Sequence, residues 1–134
     1  MSVSRGTLHR ADLLPGFVAL DHGEPIGLVT YDINGEECEV VTLNSLIQGA
    51  GIGTALLSAV AETARAAGCQ RVWLITTNDN THALRFYQKR GYRLAALYPN
   101  ALKASRRLKP EIPITGIDGI PLRDEIELEF VLRE

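Results

Sequence analysis

Gln48-Gly-Ala-Gly-Ile-Gly-Thr54 is the stretch on which the reading of this chain turns. Residues before it alternate with a period of two. After it, apolar residues recur every three or four positions, so the glycines lie between a strand and an amphipathic helix. Glycine at such a junction lets the backbone approach a ligand closely and turn its N–H groups inward. Those groups, together with the dipole of the helix that follows, suit a phosphate. No lysine follows Gly53, so the Gly-x-x-x-x-Gly-Lys-Ser/Thr pattern of nucleotide hydrolases is absent. Gly49-x-Gly51 is followed by Thr54, where a dinucleotide fingerprint carries a third glycine. A glycine-rich turn without a ligand is the other reading of the segment by itself, although so many glycines exceed what a turn needs.

Toward the N-terminus, Phe17–Asp21 reads as a strand, His22-Gly23-Glu24 as a turn and Pro25–Ile33 as a second strand. Asn34-Gly35 is a hairpin signal, expected to place both turn residues at positive φ. Glu37–Leu43 follows as a third strand, with Glu37, Glu39, Val41 and Leu43 on one face and Cys38, Val40 and Thr42 on the other. Toward the C-terminus, Ile52, Leu56, Val60, Thr63 and Ala67 define a helix face, with Ser58, Glu62 and Arg65 elsewhere and Gly68 as the stop. Arg71–Thr76 is an apolar run suited to a buried strand. Asp79 or Asn80 can cap a second helix through Ala83, Phe86 and Tyr87, whose end carries Lys89, Arg90 and the terminating Gly91. A strand over Tyr92–Tyr98, a short helix over Ala101–Leu108, a Pro- and Gly-marked loop from Pro110 to Pro121 and a strand over Glu125–Leu132 complete the expected order.

Two segments together resemble the GNAT superfamily of N-acetyltransferases. Gln48-x-x-Gly51-x-Gly53 is similar to its Gln/Arg-x-x-Gly-x-Gly/Ala motif. Asn80-x-x-Ala83-x-x-Phe86-Tyr87 with Gly91-Tyr92 is similar to its Asn-x-x-Ala-x-x-Phe-Tyr segment and closing Gly-Phe. The resemblance covers Phe17 to Tyr98. It implies an α/β fold with a mixed, mainly antiparallel sheet and two main helices. Residues 1–134 are expected to form one acyl-CoA N-acyltransferase domain: an arm over 1–16, a cofactor core over 17–98, and a loop and strand over 99–134. Only 16 residues precede Phe17, too few for the strand and two helices with which the family usually begins. Leu8–Leu14 is expected to make at most one short helix or an irregular arm. Sheet surface left uncovered in this way points to a homodimer.

The implied chemistry is direct attack of an amine on the thioester of acetyl-CoA. By resemblance, Gln48, Gly49, Ala50, Gly51, Ile52, Gly53 and Thr54 hold the pyrophosphate. Val41, Thr42 and Leu43 offer backbone groups to the pantetheine arm and to the thioester oxygen, whose charge grows in the transition state. Asn80 and Ala83 contact the cofactor arm. Tyr87, two helical turns beyond Asn80, protonates the departing thiolate. Glu39 is the candidate base, at a position resembling one where some members carry it; Glu37, Glu39 or water can serve. A non-catalytic acyl-CoA-binding module is the alternative.

Composition limits the rest. A formal net charge of -2 gives no global attraction to nucleic acid or to an anionic membrane, and no run approaches the length of a membrane span. Lys103, Arg106, Arg107 and Lys109 form a local basic cluster, read either as a solvated helix face or as a contact for an acidic acceptor or the adenosine phosphates. Cys38 and Cys69 are not in a Cys-x-x-Cys pair, and His9, His22 and His82 lack ligand spacing. Buried free thiols, no metal, a small-molecule or peptide amine as partner and a cytoplasmic location are expected.

Overall fold

The computed structural model describes residues 2–4, 7–9, 14–47 and 49–133. The elements are β1 (Ser2–Ser4), β2 (Thr7–His9), β3 (Gly16–Asp21), β4 (Glu24–Asn34), β5 (Glu37–Ser45), α1 (Ile52–Ala66), β6 (Arg71–Thr77), α2 (Thr81–Lys89), β7 (Arg93–Tyr98), α3 (Ala101–Leu108) and β8 (Glu125–Val131). Six strands form a mixed sheet in the order β3-β4-β5-β6-β8-β7, and β1 pairs with β2 in a separate ribbon. The expected α/β class and mainly antiparallel sheet are therefore borne out. Of the short helix or irregular arm expected over Leu8–Leu14, residues 10–13 lie outside the described residues, while Leu8 and His9 belong to β2, paired with Val3 and Ser2. Contacts divide the chain into two compact units, Arg10–Trp73 with Val131–Glu134, and Met1–His9 with Leu74–Phe130.

In the first unit, β3, β4 and β5 make the antiparallel meander. The β4–β5 loop is Gly35-Glu36, not Asn34-Gly35, and only Gly35 has positive φ, at 63°. Asn34 keeps its ladder pairing with Glu37. The remaining two-residue loop needs a left-handed residue only at its first position, as in a type II′ turn.

The strict alternation expected for β5 also fails. Tyr31 pairs with Val40 but Thr30 pairs with Thr42, so Val41 is an extra residue, a β-bulge. Beyond the bulge the faces exchange. Glu37, Glu39, Thr42 and Asn44 share one side, and Cys38, Val40, Leu43 and Ser45 the other. The Thr30 and Thr42 hydroxyls, 2.6 Å apart, confirm the new register.

Helix α1 packs on the Cys38–Val40–Leu43 face. A Cβ added to Gly27, which shares that face, would lie 2.7 Å from Ile52 Cγ2 and 3.2 Å from the Asn44 carbonyl oxygen. Val29, Cys38, Val40, Leu56, Leu57, Val60 and Ala64 form the core of this unit. The buried stripe includes Leu57 and Ala64, whereas Ala67 is exposed as the C-cap residue. Gly68, at φ 86°, ends the helix in a Schellman motif: Cys69 N–H donates to the Ala64 carbonyl and Gly68 N–H to that of Arg65. Gly27→Ala is expected to destabilise the fold by about 1–3 kcal/mol, because neither the backbone nor the helix can retreat from the new methyl. An unchanged urea midpoint would show that α1 is not held against β4.

Both cysteines are free and fully buried. Burial, helped by Cys69, Asp32 and Glu39, pushes the Cys38 thiol up to about 12, and burial raises Cys69 as well. The thiolate is the reactive form. Iodoacetamide at pH 8 is therefore expected to label neither thiol in the native protein and both in urea, as read by intact mass.

In the second unit, β7 and β8 pair antiparallel with a bulge at Ala95, and Arg93 meets Glu129 across the ladder at 2.8 Å. Helix α2 ends as α1 does: Gly91 at φ 92°, Tyr92 N–H to the Tyr87 carbonyl, Gly91 N–H to that of Gln88. Phe86, Tyr87, Tyr92 and Phe130 form an aromatic chain with centroid spacings of 5.2, 5.4 and 5.4 Å.

Candidate functional site

The turn that enters α1 is built from backbone. Gly49 and Gly51 sit at φ 75° and 76°, a region that residues with a Cβ resist, and Ala50 between them does not. Gly51 is the N-cap, with no side-chain cap and no acid in the first turn. The first helical bond is Ala55 N–H to the Gly51 carbonyl. N–H groups from Gly49 to Gly53 have no hydrogen-bond partner among the described residues. A Cβ at Gly49 or Gly51 would meet nothing within 4 Å. The start of the helix thus offers several donors and a positive dipole end, with open space beside Gly49 and Gly51. Gln48, the first residue of the motif, lies outside the described residues.

Strand β5 leads toward this turn. Its parallel pairing with β6 runs Glu37↔Arg71, Cys38↔Val72 and Glu39↔Trp73; no further pair occurs among the described residues. Val41, Thr42 and Leu43 therefore continue past the parallel ladder, with Val41 unpaired on its β4 side by the bulge. A bulge re-aims backbone groups, a device common beside active sites. Glu39 is buried, 7% exposed, on the face away from α1 and directly across from Asp32. Glu37 is exposed and paired with Arg71 at 2.5 Å. Of the two carboxylates only Glu39 is held inside the fold.

On α2, Asn80 is the N-cap, its Oδ1 accepting from Ala83 N–H at 3.1 Å. That bond fixes the side chain of Asn80 over the first turn and gives Ala83 its place. Tyr87 lies two turns on, half-buried, edge-on to Phe86 and Tyr92. Its hydroxyl has no hydrogen-bond partner among the described residues, and burial pushes the phenol up to about 12. It remains protonated at any ordinary pH.

A profile of the Acetyltransferase (GNAT) family matches residues 4–92, well over half of the chain, including both motif segments. The chain belongs to the GNAT family. It is 55% identical over 133 residues to the uncharacterized protein YdhI of Bacillus subtilis, covering 98% of this chain and 82% of that one. Among solved structures it is similar to a GNAT family acetyltransferase from Elizabethkingia anophelis with acetyl-CoA bound, at 26% identity and TM-score 0.75, over 86% of this chain and 74% of that one. It is also similar to the IAA acetyltransferase of Bacillus cereus, at 28% identity and TM-score 0.72, over 86% and 75% of the two chains.

Within this GNAT chain the sequence reading missed several buried polar groups. Asp79, weighed only as a helix cap, is 4% exposed and accepts hydrogen bonds from Thr77 Oγ1 at 2.5 Å and from Ile117 N–H at 2.9 Å. Glu125 and Glu127 are buried on one face of β8, where the Tyr98 hydroxyl donates to Glu127 at 2.8 Å. Alternation alone marked that strand, and nothing local says which face is covered. The basic cluster also divides. Arg106 donates to the carbonyls of Ile112, Pro113 and Leu122, so its guanidinium holds the loop that follows α3, while Lys103 and Arg107 remain exposed.

Proposed function

We propose that the chain transfers an acetyl group from acetyl-CoA to a primary amine, which attacks the thioester directly in a ternary complex. The observation that carries this is the turn from Gly49 to Gly53 at the positive end of α1, whose N–H groups have no partner among the described residues and which leaves open space beside Gly49 and Gly51. A diphosphate fits because it supplies the acceptors those donors lack and the charge the dipole favours. The acetyl-CoA in the Elizabethkingia neighbour supports the choice of ligand.

Gln48 to Thr54 bind the pyrophosphate. Val41, Thr42 and Leu43, released from the parallel ladder, present backbone donors to the arm and to the thioester oxygen, favouring the transition state as negative charge gathers there. Asn80 and Ala83 hold the arm at the start of α2. Tyr87 donates its phenolic proton toward the departing sulfur. Glu39, directly or through water, takes the proton released by the amine; its burial without loss of position suits that role better than the exposed, ion-paired Glu37. The chain is proposed to work in the cytoplasm as a homodimer. Exposed Val18 and Leu20 on the edge strand β3, beside Leu28, offer apolar surface for a second copy, and sedimentation velocity tests this.

Calorimetry with acetyl-CoA and free-thiol release over a panel of primary amines test the reading. Binding near the micromolar range with amine-dependent thiol release is expected. Binding without amine-dependent release would make the chain an acyl-CoA-binding module, and no binding would end both readings.

A further inference from the structure

The long loop after α3 is ordered by polar contacts that converge on the turn between β6 and α2. Asn78 Nδ2 donates to the Pro121 carbonyl, and Asn78 Oδ1 accepts from Arg123 and Asp124 N–H. Asp79 spends both carboxylate oxygens next door, Oδ1 on the Thr77 hydroxyl and Oδ2 on Ile117 N–H. Gly116 lies so close that any Cβ there would overlap the Asp79 carboxyl group. The loop is itself a small hairpin, with Thr115 bridged to Pro121, Gly116 N–H bonded to the Ile120 carbonyl and Leu122 N–H to that of Ile114. It displays Ile114 and Ile117 at 76% and 51% exposure. The next residue after Asp79 is Asn80, the cap of α2.

We infer that Asp79 is a positioning residue that latches the 113–122 hairpin beside the start of α2 as part of the acceptor wall. This rests on the acetyl-transfer reading, in which Asn80 faces the cofactor arm. A loop held in its binding conformation before the amine arrives spares the acceptor the cost of ordering it. An unlatched loop is competent only part of the time, and apparent affinity falls by that fraction. The cofactor turn and Tyr87 are untouched, so the effect belongs to the acceptor.

The latch needs hydrogen bonds, not charge. Asn in place of Asp can accept from Ile117 N–H and donate to the Thr77 hydroxyl, which rotates to receive it. Asp79→Asn is therefore expected to stay within threefold of wild type in acceptor KM. Asp79→Ala and Gly116→Ala are expected to raise it at least tenfold, with acetyl-CoA affinity by calorimetry within twofold and kcat changed much less than KM. The panel is an aralkylamine, a polyamine, an amino-acid amide, an aminoglycoside and a peptide N-terminus, with kinetics on the best. If Asp79→Ala keeps the wild-type acceptor KM, or if Asp79→Asn abolishes turnover, the latch is wrong while the transferase reading stands. If wild type binds acetyl-CoA but acetylates none of the panel, the transferase reading fails and the latch falls with it.

Discussion

Gly51→Asp is expected to leave folding stability within about 1 kcal/mol of wild type while weakening acetyl-CoA binding at least a hundredfold. Position 51 is the N-cap of α1 at φ 76°, with open space around it. Asp tolerates this left-handed region better than most residues, and an acid at a helix N-terminus is favourable by about 0.3–1 kcal/mol. These effects offset the strain of the added Cβ. For the ligand both changes are adverse: the carboxylate occupies the room, and it sets a negative charge beside a diphosphate. Two like charges about 4 Å apart at an effective dielectric near 20 repel by about 4 kcal/mol, and a hundredfold loss requires only about 2.7. The fold and the ligand thus respond differently to one carboxylate, which separates a binding role from a structural one. Urea unfolding and calorimetry on the same preparation check it. Wild-type affinity in the variant would place the pyrophosphate somewhere else.

Tyr87→Phe is expected to lower kcat about a hundredfold, within the range known for positioned acids, with acetyl-CoA affinity unchanged within twofold. The hydroxyl has no partner among the described residues, so its removal should not weaken folding. A phenol at about 12 is a poor proton donor to a thiolate of ordinary pKa near 8.5: the gap of about 3.5 units is roughly 5 kcal/mol uphill. In the proposed role Tyr87 would act only while the departing sulfur shared its dry surroundings, which would raise the pKa of the thiol too, and most of the expected effect would come from a hydrogen bond that strengthens as sulfur gains charge. The raised pKa also fixes a sign. The folded value lies above the unfolded value near 10, so the contribution of neutral Tyr87 to stability is complete below pH 10 and lost as pH rises toward 12. Turnover should show no fall assignable to Tyr87 between pH 8 and 10. A pH–rate profile and the alkaline phenolate absorbance of wild type and variant test both statements, and equal turnover in the two proteins would remove the phenol from the mechanism.

The local features of the chain were legible as text because their causes are local. Gly68 and Gly91 end their helices because the left-handed cap bars a Cβ, a condition read one residue at a time. The glycines from 49 to 53 announce a phosphate-binding turn through their spacing, and the pair Asn80–Tyr87 joins the candidate site through its resemblance to the family's motif. Tertiary structure decided what depends on partners far away in sequence. The bulge at Val41 arises from how β5 registers on β4, and it moves Leu43 to the helix side and Thr42 beside Glu39, which strict alternation had placed the other way round. Glu39 is buried and Glu37 is not because their neighbours differ, although the two share a face. Asp79 meets Gly116 and Ile117, and Arg106 meets Leu122, across intervals that no period of two or 3.6 encodes. Periodicity reports which way a side chain leaves its own element, and only the packed chain determines what it meets there.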